Sequence, residues 1–199
     1  MFKHIEFENI CGFDGVKDII RRVLDYFSLL LIGRPSSAKT LFLLEIIEAK
    51  NAVYFDVYNQ FVDMLDKQRP KIICIDELDK MSTDFQNHLL NFLENGHIKD
   101  RSFHFEIQNC KVFANCTDIS GLSKSMQSRF RRLHLAAYTE EQFLDVAVRV
   151  LPKLKETTAR MIGEQVWNQG NKDVRDIINI GKLLRNYDGR EQMGYVLRP

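Results

Sequence analysis

The chain has 199 residues, of which 45% are hydrophobic, and its formal net charge is +1. That length and apolar content suit one large domain, or one domain with a small companion. The near-zero charge excludes a global basic field for nucleic acid, so any such contact must come from a local patch.

The start of the chain and its cysteines predict a cytoplasmic protein. Charged residues at positions 3 and 6 interrupt the apolar run that a signal peptide needs, and no apolar stretch reaches the ~18–20 residues of a membrane span. No cysteine belongs to a C-x-x-C pair, and most lie in apolar strand-like runs, so we expect reduced core residues. These are Cys11, Cys74, Cys110 and Cys116.

Residues 1–27 form an approach segment to the first strand. A turn is predicted at 10–15, and apolar residues from Val16 to Phe27 recur at helical spacing. The wholly apolar run 29–32 that follows Ser28 is typical of a buried parallel strand.

The segment from Gly33 to Thr40 reads GRPSSAKT and lies between that strand and a helix predicted over 41–48. This context is typical of a phosphate-binding loop, because backbone N–H groups of the loop and the helix N-terminus favour an anion. Lys39 then reaches the β- and γ-phosphates, and the Thr40 hydroxyl binds Mg²⁺. Ala38 stands where glycine is normal, and we expect it to be helical, where alanine is favoured. The alternative is a chance match.

Another buried strand leads directly into two acidic residues. The pattern predicts a strand over 52–55, a helix over 56–67 and a strand over 71–75. Asp76 and Glu77 follow, at the strand end where α/β sheets bind ligands. Asp76 would hold Mg²⁺ through its water shell, and Glu77 would orient or deprotonate the attacking water. The alternative is an acidic turn exposed to solvent.

The rest of the chain continues the alternation and then becomes helical. We predict a helix over 82–94 capped by Ser82 or Thr83, a hairpin over 98–108, and strands over 112–116 and 132–135. Strands that alternate with helices indicate a three-layer α/β fold with a parallel five-stranded sheet. Helices are predicted over 139–150, 153–168 and 173–186, the first opened by a capping box at Thr139. The expected domains are a core (1–137), a helical lid (138–187) and a tail (188–199).

This order of features resembles the AAA+ ATPase family over roughly residues 5–186. Residues 72–80, IICIDELDK, match the family's Walker B segment, and Asn115 ends a strand where the family has its sensor 1 residue. The core and lid are most similar to RuvB-like ATPases, including the archaeal Holliday-junction-helicase type. The resemblance implies that Asn115 bonds the attacking water or the γ-phosphate. A simple strand-end turn is the alternative.

The same resemblance implies three further roles. Arg129 would be the arginine finger that reaches a neighbouring subunit's site, with Arg131 and Arg132 as competitors and a solvated basic cluster as the alternative. Arg175 would be the sensor 2 residue that contacts the γ-phosphate from the lid, unless it only pairs with Asp176 or Glu164. The segment Ile10-Cys11-Gly12 would cover adenine.

The expected ligands are ATP and Mg²⁺. The expected nucleotide-binding residues are Ile10, Cys11, Gly12, Gly33, Arg34, Pro35, Ser36, Ser37, Ala38, Lys39, Thr40, Leu41, Asp76 and Arg175. The expected catalytic residues are Lys39, Glu77, Asn115, Arg129 and Arg175, and the expected metal ligands are Thr40 and Asp76.

Two functions fit this site. The first is an oligomeric motor acting on DNA, because helicases of the family insert a hairpin before the sensor 1 strand, and this one carries Lys99, Arg101 and His104. By parity, Lys99 and Arg101 are predicted to share a face with Phe103, Phe105 and Ile107. The sequence after the second strand leaves almost no room for the aromatic pore loop of protein-threading motors, which argues against protein as the threaded substrate. The second function is protein remodelling, with the hairpin as an edge ornament.

A third possibility, a non-catalytic nucleotide switch or structural subunit, is disfavoured because Lys39 and Glu77 are both present. The expected partners are further copies of the chain, in a full or partial ring, or related AAA+ subunits.

Overall fold

The computed structural model describes residues 5–55, 70–95, 97–100, 103–106, 110–170 and 172–186. For 97–100, 103–106 and 185–186 the backbone alone is described. Several predictions concern residues outside these ranges. They are the helix over 56–67, the near-absence of a pore loop after the second strand, the faces of Arg101 and Ile107, and the tail over 188–199.

Strands and helices alternate along the first two thirds of the chain. The strands are β1 (Leu29–Ile32), β2 (Val53–Phe55), β3 (Ile72–Ile75), β4 (His97–Asp100), β5 (Phe103–Glu106), β6 (Lys111–Cys116) and β7 (Arg131–His134). The helices are α1 (Asp14–Val23), α2 (Lys39–Lys50), α3 (Thr83–Asn95), α4 (Lys124–Ser128), α5 (Glu140–Val150), α6 (Glu156–Asn168) and α7 (Val174–Asn186). Short 3₁₀ turns lie at Leu78–Lys80 and Ile119–Gly121.

The main sheet has five strands in the order β2-β3-β6-β1-β7, and every pairing is parallel. Strands β1 and β3 are buried along their whole length. Their continuous apolar sequences follow from this position, because a parallel sheet is covered by helices on both faces. The predicted three-layer α/β fold is confirmed.

Alternate residues of the central strands β1, β3 and β6 pack into two separate cores. Leu30 and Ile32 pack into one core with residues of α3 and α4, such as Phe85 and Met126. Leu29 and Leu31 pack into the other with residues of α1 and α2. This two-residue period is the normal geometry of a strand between two helical layers.

Helix α1 ends earlier than predicted. It stops at Val23, and the N–H groups of Tyr26 and Phe27 both bond the Val23 carbonyl in a turn. Phe27 is therefore not part of the helix face. It is 40% exposed, and the Arg131 guanidinium lies 4.0 Å from the centre of its ring.

The predicted hairpin is present, but its faces differ from the prediction. Strands β4 and β5 form a separate antiparallel sheet in which Lys99 pairs with His104 and Ile98 pairs with Phe105. Paired residues share a face, so Lys99 lies with His104 and opposite to Phe103 and Phe105. The predicted faces were wrong because each pair joins an odd-numbered residue to an even-numbered one, so parity does not carry over from β4 to β5.

The chain forms two compact units. The first contains residues 1–34 and 38–136, and the second contains 35–37 and 137–199. In the second, α5, α6 and α7 enclose an apolar core that includes Phe143, Ile162 and Ile177. The predicted capping box opens α5, with the Thr139 hydroxyl and the Gln142 side chain bonding reciprocally.

The described helices include none that is long and apolar enough to cross a membrane. The four cysteines are free thiols, two of them buried and two half-buried. Burial raises the pKa of the Cys110 and Cys116 thiols to about 12.

Candidate nucleotide site

Three neighbouring strands deliver the candidate site at their carboxyl ends. The phosphate loop follows β1, the acidic pair follows β3, and Asn115 lies near the end of β6, which runs between them. Asn115 is in register with Leu31, and the Gly33 N–H donates to the Cys116 carbonyl at 3.3 Å. The topology thus brings these segments to one edge of the sheet, where open α/β sheets bind ligands.

Lys39 is buried at the first position of α2. Its ammonium donates to the carbonyls of Gly33 at 2.7 Å and Arg34 at 2.8 Å, so the lysine spans the loop from inside. Burial lowers the pKa of Lys39, and the nearby carboxylates of Asp76 and Asp79 act in the opposite direction. A buried ammonium that bonds only neutral carbonyls favours an added anion such as a phosphate.

Ala38 is not helical, and that expectation was wrong. It precedes α2 with φ 62° and ψ 11°, in the left-handed region that glycine adopts freely. This left-handed backbone explains why glycine is normal at this position of the motif. Ser36 also has a positive φ, of 59°, and two such residues turn the loop sharply before the helix.

The two predicted metal ligands lie together. The Thr40 hydroxyl donates to an Asp76 carboxylate oxygen at 3.0 Å. A hydroxyl and a carboxylate are the hard oxygen ligands that Mg²⁺ prefers, usually completed by water and phosphate oxygens. Within the described residues there is no cluster of three or more His, Cys, Asp or Glu that could hold a metal by itself. The residues therefore fit a Mg²⁺ ion that arrives with a phosphate ligand.

Glu77 has a constrained backbone and an exposed side chain. Its φ of 49° and ψ of 49° are left-handed, and its N–H donates to the Asn115 side-chain oxygen at 3.0 Å. Its carboxylate accepts from the Lys80 ammonium at 2.6 Å. Asn115 thus fixes the main chain at Glu77, while Lys80 holds the carboxylate.

Asn115 is completely buried, at 0% exposure. Its side-chain nitrogen has no hydrogen-bond partner among the described residues, although the oxygen is bonded to Glu77. A buried N–H without a partner costs about 1–3 kcal/mol. Such a donor, held beside Glu77, fits the sensor role that the family resemblance implies.

Asp79 was not predicted as a site residue, but it links the segment after β3 to the segment after β6. Its carboxylate accepts from the N–H groups of Thr117 at 3.2 Å and Asp118 at 2.9 Å, directly after β6. A Cβ on Gly121 would lie 3.1 Å from both the Cβ and the carbonyl oxygen of Asp79, so glycine permits this close approach. Its acidic side chain two positions after Glu77 was the available sequence signal.

Arg129 lies at the C-terminus of α4 and pairs with Glu94 of α3. Both side chains are partly exposed. The competitors differ: Arg131 lies over Phe27, and Arg132 is exposed on the edge strand β7. Of the three candidates for the arginine finger, Arg129 is therefore the one held at the surface by a salt bridge within the described part of the chain.

Arg175 belongs to the second unit and is described with it. It lies in the first turn of α7, is exposed, and forms no salt bridge within the part of the chain that the structure describes. Its N–H donates to the Asp173 carboxylate at 2.8 Å, and Ser36, grouped with this unit, donates its hydroxyl to the same carboxylate.

The predicted adenine segment is only partly open. Ile10 is 3% exposed and packs in the core shared by α1 and α2, whereas Cys11 and Gly12 are half-buried. Leu41, also expected to contact nucleotide, is 42% exposed on α2. The side chain of Ile10 therefore has a core role, and the two residues after it retain accessible surface.

A family model described as "AAA domain (Cdc48 subfamily)" matches residues 27–157, more than half of the chain. Comparison with curated proteins gave no significant match.

Among solved structures, mutant forms of RuvB from Thermotoga maritima are similar to this chain. One has a TM-score of 0.72 at 19% identity over 89% of this chain and 63% of the RuvB chain. Two others have TM-scores of 0.70 and 0.71, both at 19% identity, and cover 88% and 92% of this chain. These two matches span 63% and 66% of RuvB, so the chain covers less than two thirds of these relatives. At this identity the likeness shows the fold.

Proposed function

The chain belongs to the AAA domain family, and from that premise we propose that it binds ATP with Mg²⁺ and hydrolyses it to ADP and phosphate. The observation that carries the proposal is the convergence of Thr40, Asp76, Glu77 and Asn115 at one sheet edge, beside the buried Lys39. Because these residues come from three separate segments of the chain, which follow β1, follow β3 and end β6, their meeting is a property of the fold.

Each residue has a distinct part in this reaction. Lys39 and the loop N–H groups neutralise and orient the phosphates, and Thr40 and Asp76 hold the metal. Mg²⁺ bound with ATP supplies charge stabilisation at the transferring phosphoryl group. The Glu77 carboxylate separates from Lys80 and then orients or deprotonates the attacking water. The Asn115 amide donates to that water or to the γ-phosphate. We propose that the chain consists of a core (1–137) and a helical lid (138–187). Arg175 of the lid contacts the γ-phosphate.

The test is the variant Glu77→Gln, which keeps the shape of the side chain and removes the base. ATP affinity should stay near that of the unmodified chain, while kcat should fall roughly 10²–10⁴-fold. Glu141→Gln makes the same change at an exposed first-turn position of α5 and should alter neither. A Glu77→Gln variant that hydrolyses ATP at the unmodified rate removes Glu77 from the mechanism.

We further propose that the protein acts on DNA as an oligomer in the cytoplasm. The RuvB-like motors that the sequence resembles act on DNA, and the observed β4–β5 ribbon precedes β6, the predicted sensor 1 strand. Lys99 and His104 share one face of that ribbon. In the oligomer, Arg129 would reach the site of the next subunit, which is this chain or a related AAA+ chain.

An ATPase assay with branched, duplex and single-stranded DNA separates this proposal from protein remodelling. DNA of at least one form should raise the hydrolysis rate at saturating ATP. Hydrolysis that no DNA stimulates, but that a protein substrate does, would favour protein remodelling.

A further inference from the structure

One buried lysine has no part in the mechanism above. The polar or charged side chains buried in the described part of the chain are Ser37, Lys39, Asn115 and Lys17. The first three belong to the phosphate loop and the sensor position. Lys17 lies on α1, outside the phosphate site, and only 8% of it is exposed.

The ammonium of Lys17 has a specific partner. It donates to the Ile10 carbonyl at 2.6 Å, and it lies 3.5 Å from the Asp14 carboxylate, which is itself 90% exposed. A buried ammonium is unfavourable unless it is paired or hydrogen-bonded. Since Asp14 is so well solvated, the short bond to Ile10 is the main compensation.

That bond fixes a segment with an unusual backbone, residues 10–13, which we name the strap. Gly12 and Phe13 have φ values of 68° and 58°, both in the left-handed region. Phe13 is a bulky residue for which this conformation is unfavourable, so surrounding contacts must impose it. Lys17 holds the first residue of the strap by its carbonyl, and the chain then turns back into α1.

Arg21, one turn further along α1, anchors the chain that precedes the strap. Its guanidinium donates to the carbonyls of Ile5 and Glu6, both at 2.8 Å. One face of α1 thus presents two cationic side chains to three backbone carbonyls. Charge-assisted hydrogen bonds of this kind are stronger than neutral ones and fix the orientation of the groups that accept them.

The strap lies beside the start of α2, the helix that follows the phosphate loop. The Phe13 ring is 6.2 Å from the ring of Phe42, which lies in the first turn of α2. Phe13 also packs against the same core as Ala38, the last residue of the loop. The residues after Ile10 are half-buried, and they offer a thiol, a bare backbone and an aromatic ring. Such a surface suits a planar heterocyclic base.

We propose that Lys17 is a positioning residue for the base of the bound nucleotide. It holds the Ile10 carbonyl against α1, so that Cys11, Gly12 and Phe13 keep the turned backbone that receives adenine. This inference rests on the proposed function and assigns one of its specificity elements to a residue that does not touch the phosphates. Lys17 therefore sets the affinity for the base and leaves the affinity for the triphosphate to the loop.

The test compares two Mg²⁺-bound ligands, ATP and inorganic tripolyphosphate, by calorimetry on the full chain. Lys17→Met removes the ammonium and keeps an unbranched side chain. It should weaken ATP binding roughly tenfold or more and change tripolyphosphate binding less than about twofold. Lys17→Arg keeps a cationic donor and should recover most of the ATP affinity.

The matched control is Lys50→Met. The side chains of Lys17 and Lys50 are equally exposed, at 10%, but Lys50 bonds Asp25 at the far end of α2. Lys50→Met should leave both affinities unchanged. If Lys17→Met fails to fold, Lys17→Gln, which keeps a neutral N–H donor, takes its place with the same expected pattern.

Two results overturn the inference. One is an unchanged ATP affinity in the folded variant, and the other is an equal loss for ATP and tripolyphosphate, which indicates general support of the fold. Failure of the proposed function is recognised separately, because the unmodified chain would then bind neither ligand.

Discussion

Ala38 shows how one backbone angle determines the residue that suits a position. Its φ of 62° costs an alanine about 1 kcal/mol, whereas glycine adopts this region freely. We therefore expect Ala38→Gly to raise the free energy of unfolding by about 0.5–1 kcal/mol in a denaturant titration.

Ala49→Gly is the matched control for this prediction, because it makes the same change inside the last turn of α2. There the added backbone freedom should lower the free energy of unfolding by up to about 1 kcal/mol. If Ala38→Gly lowers it as well, the left-handed conformation of Ala38 is not the source of strain.

Lys39 gives the nucleotide affinity a defined pH dependence. Its pKa is lowered by burial in the free chain, and a bound phosphate raises it because an anion favours the charged form. ATP binding is then coupled to proton uptake once the pH exceeds the free-state pKa. Affinity should be constant at neutral pH and fall on the alkaline side, starting below the ordinary lysine pKa of about 10.4.

The measurement is the dissociation constant of ATP from neutral to alkaline pH. Lys39→Arg is the comparison, since a guanidinium stays charged throughout, and its affinity, whatever its absolute value, should vary less over this range. Parallel pH profiles for the two proteins would show that another group causes the loss.

Sequence patterns identified residue types better than residue conformations. The motifs alone predicted Lys39 and Thr40 at the start of the helix after β1, and Asp76 and Glu77 at the end of β3, because parallel strands bring their carboxyl ends to one edge. The left-handed backbone of Glu77 had no signal in the sequence, and the signal at Ala38, the glycine that is normal there, was misinterpreted because alanine favours helices. The roles of Lys17 and Asp79 also needed coordinates, because each acts on carbonyls or N–H groups of the main chain.

At the scale of elements, strongly apolar runs were predicted to within a residue or two. Strands β1 and β3 are buried on both faces, so their sequences carry an unambiguous signal. Helix α1 was overextended because Phe27 fitted the helical period, although it lies beyond the turn after Val23. The faces of the hairpin were mispredicted because register depends on the turn, which parity along the sequence ignores.

The observed register changes the expected DNA contact. Lys99 pairs with His104, on the face opposite to Phe103 and Phe105, so Lys99 does not share a face with these aromatic residues as predicted. Lys99→Ala should weaken duplex DNA binding and reduce the slope of log affinity against log salt by roughly 1, with basal ATPase activity unchanged. Lys153→Ala, at an exposed position of the second unit, should leave the slope unaltered.

Binding is measured by fluorescence anisotropy over a series of salt concentrations. An unchanged slope for Lys99→Ala, or an equal change for Lys153→Ala, would remove the ribbon from the DNA interface. Because the chain carries a net charge of only +1, no general basic surface would then account for binding.

At the scale of the whole molecule, the proposed assembly depends on one surface arginine. Arg129 is paired with Glu94 on the surface of the first unit. A finger supplied by a neighbour is worth roughly 10³–10⁵ in rate, so an isolated chain should hydrolyse ATP slowly. Specific activity should therefore rise with protein concentration.

Subunit mixing tests this assembly directly. Arg129→Ala and Lys39→Ala should each be nearly inactive, since one lacks the finger and the other cannot hold the phosphates. In a random mixture, roughly a quarter of head-to-tail interfaces combine an intact Arg129 with an intact Lys39, and activity should return in proportion. Mixing Arg129→Ala with the double variant Arg129→Ala/Lys39→Ala restores no intact interface and is the control. Equal activity in the two mixtures, with a specific activity independent of concentration, would mean that each chain hydrolyses ATP without a neighbour's arginine.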